Sequence, residues 1–152
     1  MKRLTHIDAR GHARMVDVSS KPVSRREAVA RGEIRLKTET LDLIEAQQIA
    51  KGNVLATARL AGIMAAKRTG ELIPLCHPLP ITHCEVEFDI PESRDRVVIT
   101  ATARITARTG VEMEALTATS VAALTIYDMC KAVDQSMVIS EVRLVKKIKS
   151  EV

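Results

Sequence analysis

A helical stretch of small and apolar residues constrains the fold of this chain more than any other feature: GVEMEALTATSVAALTIYDMCKAV, at residues 110–133. Between residues 115 and 126 most side chains are small or apolar, which is the pattern of a helix buried on most of its circumference. Glu112 and Glu114 at its start suit the positive end of the helix dipole, and Lys131 suits the negative end. Asp128 places a negative charge near that negative end, which the dipole does not favour. The stretch therefore predicts a core helix with an unexplained carboxylate in its last turn.

Asp128 and Lys131 are three residues apart and therefore lie on one face of this helix. Each can shift the pKa of the other, and together they can accept and donate protons. An ordinary surface ion pair has the same spacing. Spacing alone leaves both interpretations open, a surface pair and a catalytic pair.

The composition indicates one domain spanning residues 1–152, with a formal net charge of +4. Phe88 and Tyr127 are its only aromatic residues, so Ala, Val, Leu, Ile and Met must build the core. Three cysteines cannot all pair, and the opening MKRLTHID lacks the apolar segment of a secretory signal. We therefore expect a cytoplasmic location. No apolar run approaches the roughly 20 residues of a membrane-spanning helix, so no membrane role is expected.

Hydrophobic periodicity predicts the order of the elements along the chain. Residues 1–24 read as an arm or lid with a short strand at 14–19, and three prolines make 69–80 an extended loop. The main elements are strands at 25–36, 81–90, 96–107 and 137–148 and helices at 38–48, 51–68 and 110–133. Their order predicts an α+β fold, a ferredoxin-like βαββαβ sandwich with an antiparallel sheet, an N-terminal arm and an extra short helix.

Two kinds of site are disfavoured by spacing. Cys76, His77, His83 and Cys84 offer four soft metal ligands within nine residues, but neighbours in an extended chain point in opposite directions, and the spacing of known zinc sites is absent. No metal site is therefore predicted. No glycine-rich nucleotide motif follows a strand either.

Scattered cations could still hold phosphate groups. They are Lys51, Lys67, Arg68, His77, Arg108 and Lys131. Glu112 and Glu114 would repel a phosphate and are better suited to accept hydrogen bonds from the N–H groups of a guanine-like ring. Glu112 and Asp128 are sixteen residues apart, or about 24 Å along a straight helix. If both ends serve one site, a second subunit must complete it.

Four strings in the sequence closely resemble one known family. They are MVDVS at 15–19, KGNVLATARLAGIMAAKRT at 51–69, LIPLCHPL at 72–79 and TGVEMEALTATSVAALTIYDMCKAV at 109–133. The family is the molybdenum cofactor biosynthesis protein C family, whose members are cyclic pyranopterin monophosphate synthases, and the likeness covers essentially the whole chain.

The resemblance implies a reaction and a set of site residues. Cyclic dihydro-GTP would be converted to cyclic pyranopterin monophosphate with release of pyrophosphate, without redox chemistry. No cofactor would be required, although Mg²⁺ can accompany the triphosphate. The implied assembly is a homohexamer, a trimer of dimers, with sites between subunits. By position, the implied catalytic residues are Lys51, Asp128 and Lys131, and the implied substrate-binding residues are Leu75, Cys76, His77, Met113 and Glu114, with Glu112 and Arg108 beside them.

Two other classes of function share some of these features. A small RNA-binding module has the same element order and a basic charge, but such domains stack bases on aromatic residues that this chain lacks. A ligand-sensing oligomer would keep the pocket without turnover, and release of pyrophosphate from the substrate separates it from an enzyme.

Overall fold

The computed structural model describes residues 5–152. Within them lie four strands, β1 (Ser24–Arg35), β2 (His83–Asp89), β3 (Arg96–Ala107) and β4 (Val138–Ser150). The same part of the chain contains the helices α1 (Thr38–Glu45), α2 (Val54–Lys67), α3 (Thr69–Leu72) and α4 (Glu112–Cys130). None of these helices is both long enough and apolar enough to cross a membrane.

The strands form one antiparallel sheet in the order β2-β3-β1-β4. β3 lies between β1 and β2, and β1 lies between β3 and β4, so each strand–helix–strand unit skips over one strand of the other unit. That interleaving is the ferredoxin-like arrangement. The predicted fold class is confirmed.

The core lies between the helices and one face of the sheet. Alternate residues of β1 and β3 point toward the helices and are fully buried, among them Ala28, Ala30, Val97 and Ile99, as the period of two requires. α4 packs over β1 and β3, and α2 packs against α4 and β2. Because the contact surfaces of α2 and α4 are rich in alanine, the two helices can approach closely.

α4 is the core helix that its composition predicts. Only Leu124 and Asp128 of its 19 residues are exposed. It is shorter than the predicted stretch 110–133, because Val133 N–H turns back to the carbonyl of Cys130 at 3.0 Å and closes the last turn. Asp128 and Lys131 therefore stand at the very end of the helix.

Several predicted boundaries are corrected by the structure. Residues 14–19 are not a strand: Asp17 accepts hydrogen bonds from the backbone and hydroxyl of Ser19 and forms a turn, which is a local alternative to strand pairing. The predicted loop 69–80 begins with the short helix α3, because its first proline comes only at residue 74. The first helix ends at Glu45, and Gln47 follows with a left-handed φ of 55°.

The start of the second helix also moves, and the shift bears on the site. Asn53 accepts a hydrogen bond from Ala56 N–H at 3.0 Å and caps α2, which begins at Val54 rather than at residue 51. Lys51 therefore lies in the loop before the helix. Gly52 beside it has φ of +112°, a conformation that glycine adopts without strain.

Candidate active site

The three predicted catalytic residues meet at the C-terminal end of α4. Lys131 Nζ lies 2.9 Å from Asp128 Oδ1, and Lys51 Nζ lies 3.0 Å from Asp128 Oδ2. Lys51 Nζ also donates to the backbone carbonyl of Asp128 at 3.2 Å, which satisfies one of the carbonyls left free at a helix end. Both cations thus lie at the negative end of the helix dipole. We call Lys51, Asp128 and Lys131 the lysine–aspartate cluster.

The lysine–aspartate cluster is open to solvent. Its three side chains are 49%, 56% and 57% exposed for Lys51, Asp128 and Lys131. Hydrogen bonds from Lys131 and from Lys51 hold the pKa of Asp128 below its ordinary value. A bound substrate would therefore meet an ionised carboxylate with an ammonium donor on either side, which is a set of groups suited to proton transfer.

A buried carboxylate, Asp134, ties this end of α4 to α1. Asp134 Oδ2 accepts from Lys37 N–H and Thr40 Oγ1, both at 2.9 Å. Its Oδ1 accepts from Ser136 N–H at 2.9 Å and Ser136 Oγ at 2.7 Å. Burial alone would raise the pKa of Asp134, but these hydrogen bonds lower it to about 2. Asp134 thus holds the segment after Lys131 against α1. The loop that follows α1 carries Lys51.

Six of the predicted substrate-binding residues line one cavity at the other end of α4. The cavity measures about 430 Å³ and contains Leu75, Cys76, His77, Glu112, Met113 and Glu114 in its wall. The N-terminal arm closes the cavity through Thr5, His6, Val16, Val18 and Lys21. We call this space the α4 cavity. Its boundary residues come from three separate parts of the chain.

The loop after α3 reaches the α4 cavity through two close contacts. A Cβ on Gly70 would lie 2.9 Å from Pro78 Cα, so only glycine lets the loop fold back over α3. His77 Nε2 lies 2.6 Å from the carbonyl oxygen of Val16. Because a carbonyl can only accept, Nε2 of His77 carries a hydrogen here, and the imidazole fastens the arm over the cavity.

Glu112 is the ionised carboxylate of the α4 cavity. Lys147 Nζ lies 2.8 Å from Glu112 Oε1. Burial opposes ionisation of Glu112, but the hydrogen bond and charge of Lys147 lower its pKa below the ordinary value. The carboxylate folds back over Gly110, and a Cβ at that position would overlap both of its oxygens. Glycine at position 110 therefore places the Glu112 carboxylate.

Glu114, two residues on, lies in a different environment. Its residue is 2% exposed, and its Oε2 is buried without a hydrogen-bond partner among the described residues. Oε1 lies 4.0 Å from the Sγ of Cys76. Burial, with a smaller contribution from the nearby charge of Glu112, raises the pKa of Glu114 to about 7. Burial and the same two carboxylates raise the pKa of the Cys76 thiol.

Arg108 is the one predicted substrate-binding residue that does not line the α4 cavity. Its Nη1 donates to the carbonyl of Ser19 at 3.1 Å, and its own carbonyl accepts from Arg26 Nη2 at 3.4 Å. Arg108 thus joins the arm to the end of β3. No group of three His, Cys, Asp or Glu side chains in residues 5–152 is arranged to hold a metal ion.

Comparison with known sequences assigns the family. Residues 15–150 match the sequence model of the MoaC family. The chain belongs to the MoaC family. Three similar proteins carry the name cyclic pyranopterin monophosphate synthase. The protein of Pelotomaculum thermopropionicum is 61% identical over 97% of this chain and 86% of its own. The proteins of Heliobacterium modesticaldum and Roseiflexus sp. strain RS-1 are each 60% identical over 97% of this chain, and over 92% and 93% of their own lengths.

The structure of this MoaC-family chain adds residues that the sequence patterns did not indicate. Lys147 pairs with Glu112 from the last strand, Val16 holds His77 from the arm, and Asp134 anchors the loop after α4. The first two are contacts between distant parts of the chain and leave no local pattern. Asp134 does have a local signal that could have identified it, because Asp followed two residues later by Ser is typical of a side-chain-stabilised turn.

Proposed function

We propose that this chain is a cyclic pyranopterin monophosphate synthase, which converts (8S)-3′,8-cyclo-7,8-dihydroguanosine 5′-triphosphate to cyclic pyranopterin monophosphate and diphosphate. The observation that carries the proposal is the similarity of almost the entire chain, at about 60% identity, to proteins that bear this name. The proposed activity implies a small-molecule substrate and a role in molybdenum cofactor biosynthesis.

The chemistry we propose is that of a diphosphate-releasing lyase that works by general acid and base catalysis. The reaction opens a purine-derived ring, closes a pterin and forms a cyclic phosphate, so several protons must move and a polyphosphate must leave. The lysine–aspartate cluster supports this proposal because it presents two ammonium groups and an ionised carboxylate at one exposed point. Such groups transfer protons and neutralise phosphate charge.

The guanine-derived ring would bind in the α4 cavity. Glu112 is positioned to accept hydrogen bonds from the ring N–H groups, because its carboxylate is ionised and lies in the cavity wall. Leu75 and Met113 provide apolar surface for the ring faces, and Cys76 and His77 bring the backbone of their loop to the wall. No cofactor is proposed, although Mg²⁺ can accompany the triphosphate as part of the substrate.

One chain cannot bring both its lysine–aspartate cluster and its α4 cavity into contact with the same substrate molecule. The first and last turns of α4 are sixteen residues apart, or about 24 Å along the axis, which exceeds the reach of one nucleotide between Glu112 and Asp128. We therefore propose that the α4 cavity of one subunit faces the lysine–aspartate cluster of another. A homohexamer, as a trimer of dimers, would repeat this contact by symmetry.

Turnover of cyclic dihydro-GTP tests the activity directly. The purified protein should release pyrophosphate and form the pterin product, and Asp128→Ala should bind substrate but fail to convert it. Asp42→Ala is the matched control, because Asp42 is also an exposed carboxylate in an ion pair, with Arg94, and lies outside both sites. Failure of the assembled parent protein to form product would contradict the proposal.

Mixing two impaired variants at a substrate concentration far below KM tests the shared site. Asp128→Ala blocks conversion and Glu112→Ala weakens binding. After the two are unfolded together and refolded as mixed oligomers, turnover should rise above the mean of the two separate variants, because some sites then combine two intact halves. The same variants mixed without subunit exchange should give only that mean. If mixed oligomers form but turnover does not rise above the mean, the two ends of α4 do not meet between subunits.

A further inference from the structure

Glu114 is a buried carboxyl group for which the described part of the chain provides no cation. Glu114 is 2% exposed, and its Oε2 has no hydrogen-bond partner within residues 5–152. No Lys, Arg or His nitrogen of residues 5–152 lies within ion-pair distance of either oxygen. Glu114 also lines the α4 cavity, so this residue belongs to the wall of the space that a ligand would occupy.

The groups that surround Glu114 favour its charge only weakly: a backbone hydrogen bond lowers its pKa, but burial outweighs that effect. On its own helix Glu112 is negative, and its partner Lys147 is occupied by that ion pair. From the loop, Cys76 brings a thiol to 4.0 Å, and His77 is held by the arm.

The remaining charged neighbours lie farther along the cavity walls. His6 and Lys21 of the arm share the α4 cavity with Glu114. Lys67 and Glu71 share with it a second, smaller cavity of about 210 Å³ between the end of α2 and the loop after α3. Neither lysine makes an ion pair with Glu114. The charge that shifts the pKa of Glu114 is that of Glu112.

A buried carboxylate that loses water without gaining a cation is less stable than the corresponding acid. The neutral form of Glu114 also has a hydrogen to donate, whereas the ionised form can only accept. Glu112, in contrast, is ionised because Lys147 compensates its burial. Two glutamates in one turn of α4 therefore differ in charge, and such a difference separates the acid from the base in a site.

We propose that Glu114 binds the substrate as a neutral carboxylic acid, donating a hydrogen bond from its carboxyl group to an acceptor atom of the guanine-derived ring, while ionised Glu112 accepts from the ring N–H groups. A guanine-type ring presents both kinds of atom, with N–H donors beside carbonyl and ring-nitrogen acceptors. One ionised and one neutral carboxyl match that edge, whereas two carboxylates would leave the acceptors facing negative charge. The role in ring binding rests on the proposed function, whereas the protonation of Glu114 in the empty site does not.

The proposal predicts a dependence of affinity on pH. The raised pKa of Glu114, about 7, means that the acid form prevails below that pH and is lost above it. If only the acid form binds, the apparent dissociation constant should rise about tenfold for each pH unit above the pKa. Glu112 ionises well below this range and should not contribute.

Infrared spectroscopy of the protein without substrate tests the protonation state. The parent should show the carbonyl stretch of a protonated carboxyl group that disappears as the pH rises through about 7. Glu114→Gln should lack that band. Glu112→Gln should keep it with a lower midpoint, because the neighbouring negative charge has been removed. A parent protein whose carboxyl bands all vanish near the ordinary glutamate pKa of about 4 would overturn the proposal.

Substrate affinity tests the role in binding. Glu114→Gln keeps the shape of the side chain and a hydrogen-bond donor without a titrating proton. It should bind cyclic dihydro-GTP about as tightly as the parent at pH 6, and its affinity should not fall between pH 6 and pH 8. Glu114→Ala should bind at least tenfold more weakly at pH 6. A Glu114→Gln protein that binds tenfold more weakly than the parent at every pH would show that the carboxylate is needed, and would overturn the proposal.

The two measurements also separate this proposal from the proposed function. If the parent bound no cyclic dihydro-GTP, the proposed function and the role in ring binding would fail together. The infrared band near neutral pH would still show whether Glu114 is neutral in the empty site.

Discussion

The two ends of α4 carry carboxylates in opposite environments. At the C-terminal end Asp128 is 56% exposed and lies between two lysines. At the N-terminal end Glu112 and Glu114 lie in the wall of the α4 cavity, where Glu112 has one lysine partner and Glu114 has none in the part of the chain that the structure describes. The same helix thus presents a solvated ion cluster at one end and a partly dry recognition surface at the other.

The difference shows that burial and pairing with a cation determine the charge and the accessibility of similar carboxyl side chains. An exposed, paired carboxylate stays ionised and accessible, so it can exchange protons without a large cost to folding. A buried carboxyl group responds strongly to whether a cation is nearby, so the ion pair with Lys147 is a main reason why Glu112 behaves differently from Glu114. We therefore expect variants at the exposed end to alter turnover and variants at the buried end to alter binding.

The largest expected effect is on turnover at the exposed end. Lys131→Met removes the ammonium group but keeps the apolar stem, and kcat should fall roughly 10²- to 10⁴-fold, the range for loss of one acid or base. KM should change much less, because the α4 cavity is intact. Lys146→Met is the control, since Lys146 is an exposed lysine of β4 outside the cluster. An unchanged kcat in Lys131→Met would contradict a catalytic role for Lys131 at the exposed end of α4.

The next effect is on stability, through the residue that supports the exposed end. Asp134→Ala leaves Lys37 N–H and the hydroxyl groups of Thr40 and Ser136 without their buried acceptor, and should lower the free energy of unfolding by about 2 kcal/mol at pH 7. The folded-state pKa of about 2 lies below the ordinary value of 3.8. This stability is therefore complete above about pH 4 and is lost as the pH falls toward 2.

Denaturant titrations at several pH values measure this contribution. The difference between the parent and Asp134→Ala should be largest at neutral pH and shrink between pH 4 and pH 2. A difference that stayed constant over that range would mean that the hydrogen bonds to Asp134 do not depend on its charge.

A smaller effect is expected on substrate affinity at the buried end. Gly110→Ala would place a methyl group where the Glu112 carboxylate lies, displacing it from Lys147, and should weaken substrate binding about tenfold, which is the cost of about one hydrogen bond to a charged group. The double variant Gly110→Ala, Glu112→Gln supplies the control. If Gly110 acts only through Glu112, the double variant should bind no more weakly than Glu112→Gln alone.

The fold followed from the sequence because its signals are local and repeated. Alternation in β2 and β3, the alanine-rich α2 and the apolar run of α4 each specify one element, and their order specifies the topology. The errors lie where a single side chain decides the outcome. Asp17 turns the chain at residues 17–19, and Asn53 moves the start of α2 three residues along.

The candidate site was less accessible to local patterns. Helical spacing alone pairs Asp128 with Lys131. Lys51 is 77 residues from Asp128, so only the family resemblance identified it as a predicted catalytic residue. Lys147 gave no signal at all, although it decides the charge of Glu112. Nor could periodicity show that Glu114 has no cation beside it among the described residues, because that depends on how distant parts of the chain pack together.

The smallest expected effect sharpens the contrast between the two ends. Asp128→Asn removes both ion pairs of the lysine–aspartate cluster, yet the denaturant midpoint at pH 7 should move far less than it does in Asp134→Ala. Exposed pairs gain little from association because water solvates their charges and salt screens them. Raising the ionic strength should therefore reduce the small difference between Asp128→Asn and the parent still further. A midpoint that fell as far as in Asp134→Ala would show that the exposed cluster stabilises the end of α4, and loss of turnover in its variants would then need to be separated from loss of structure.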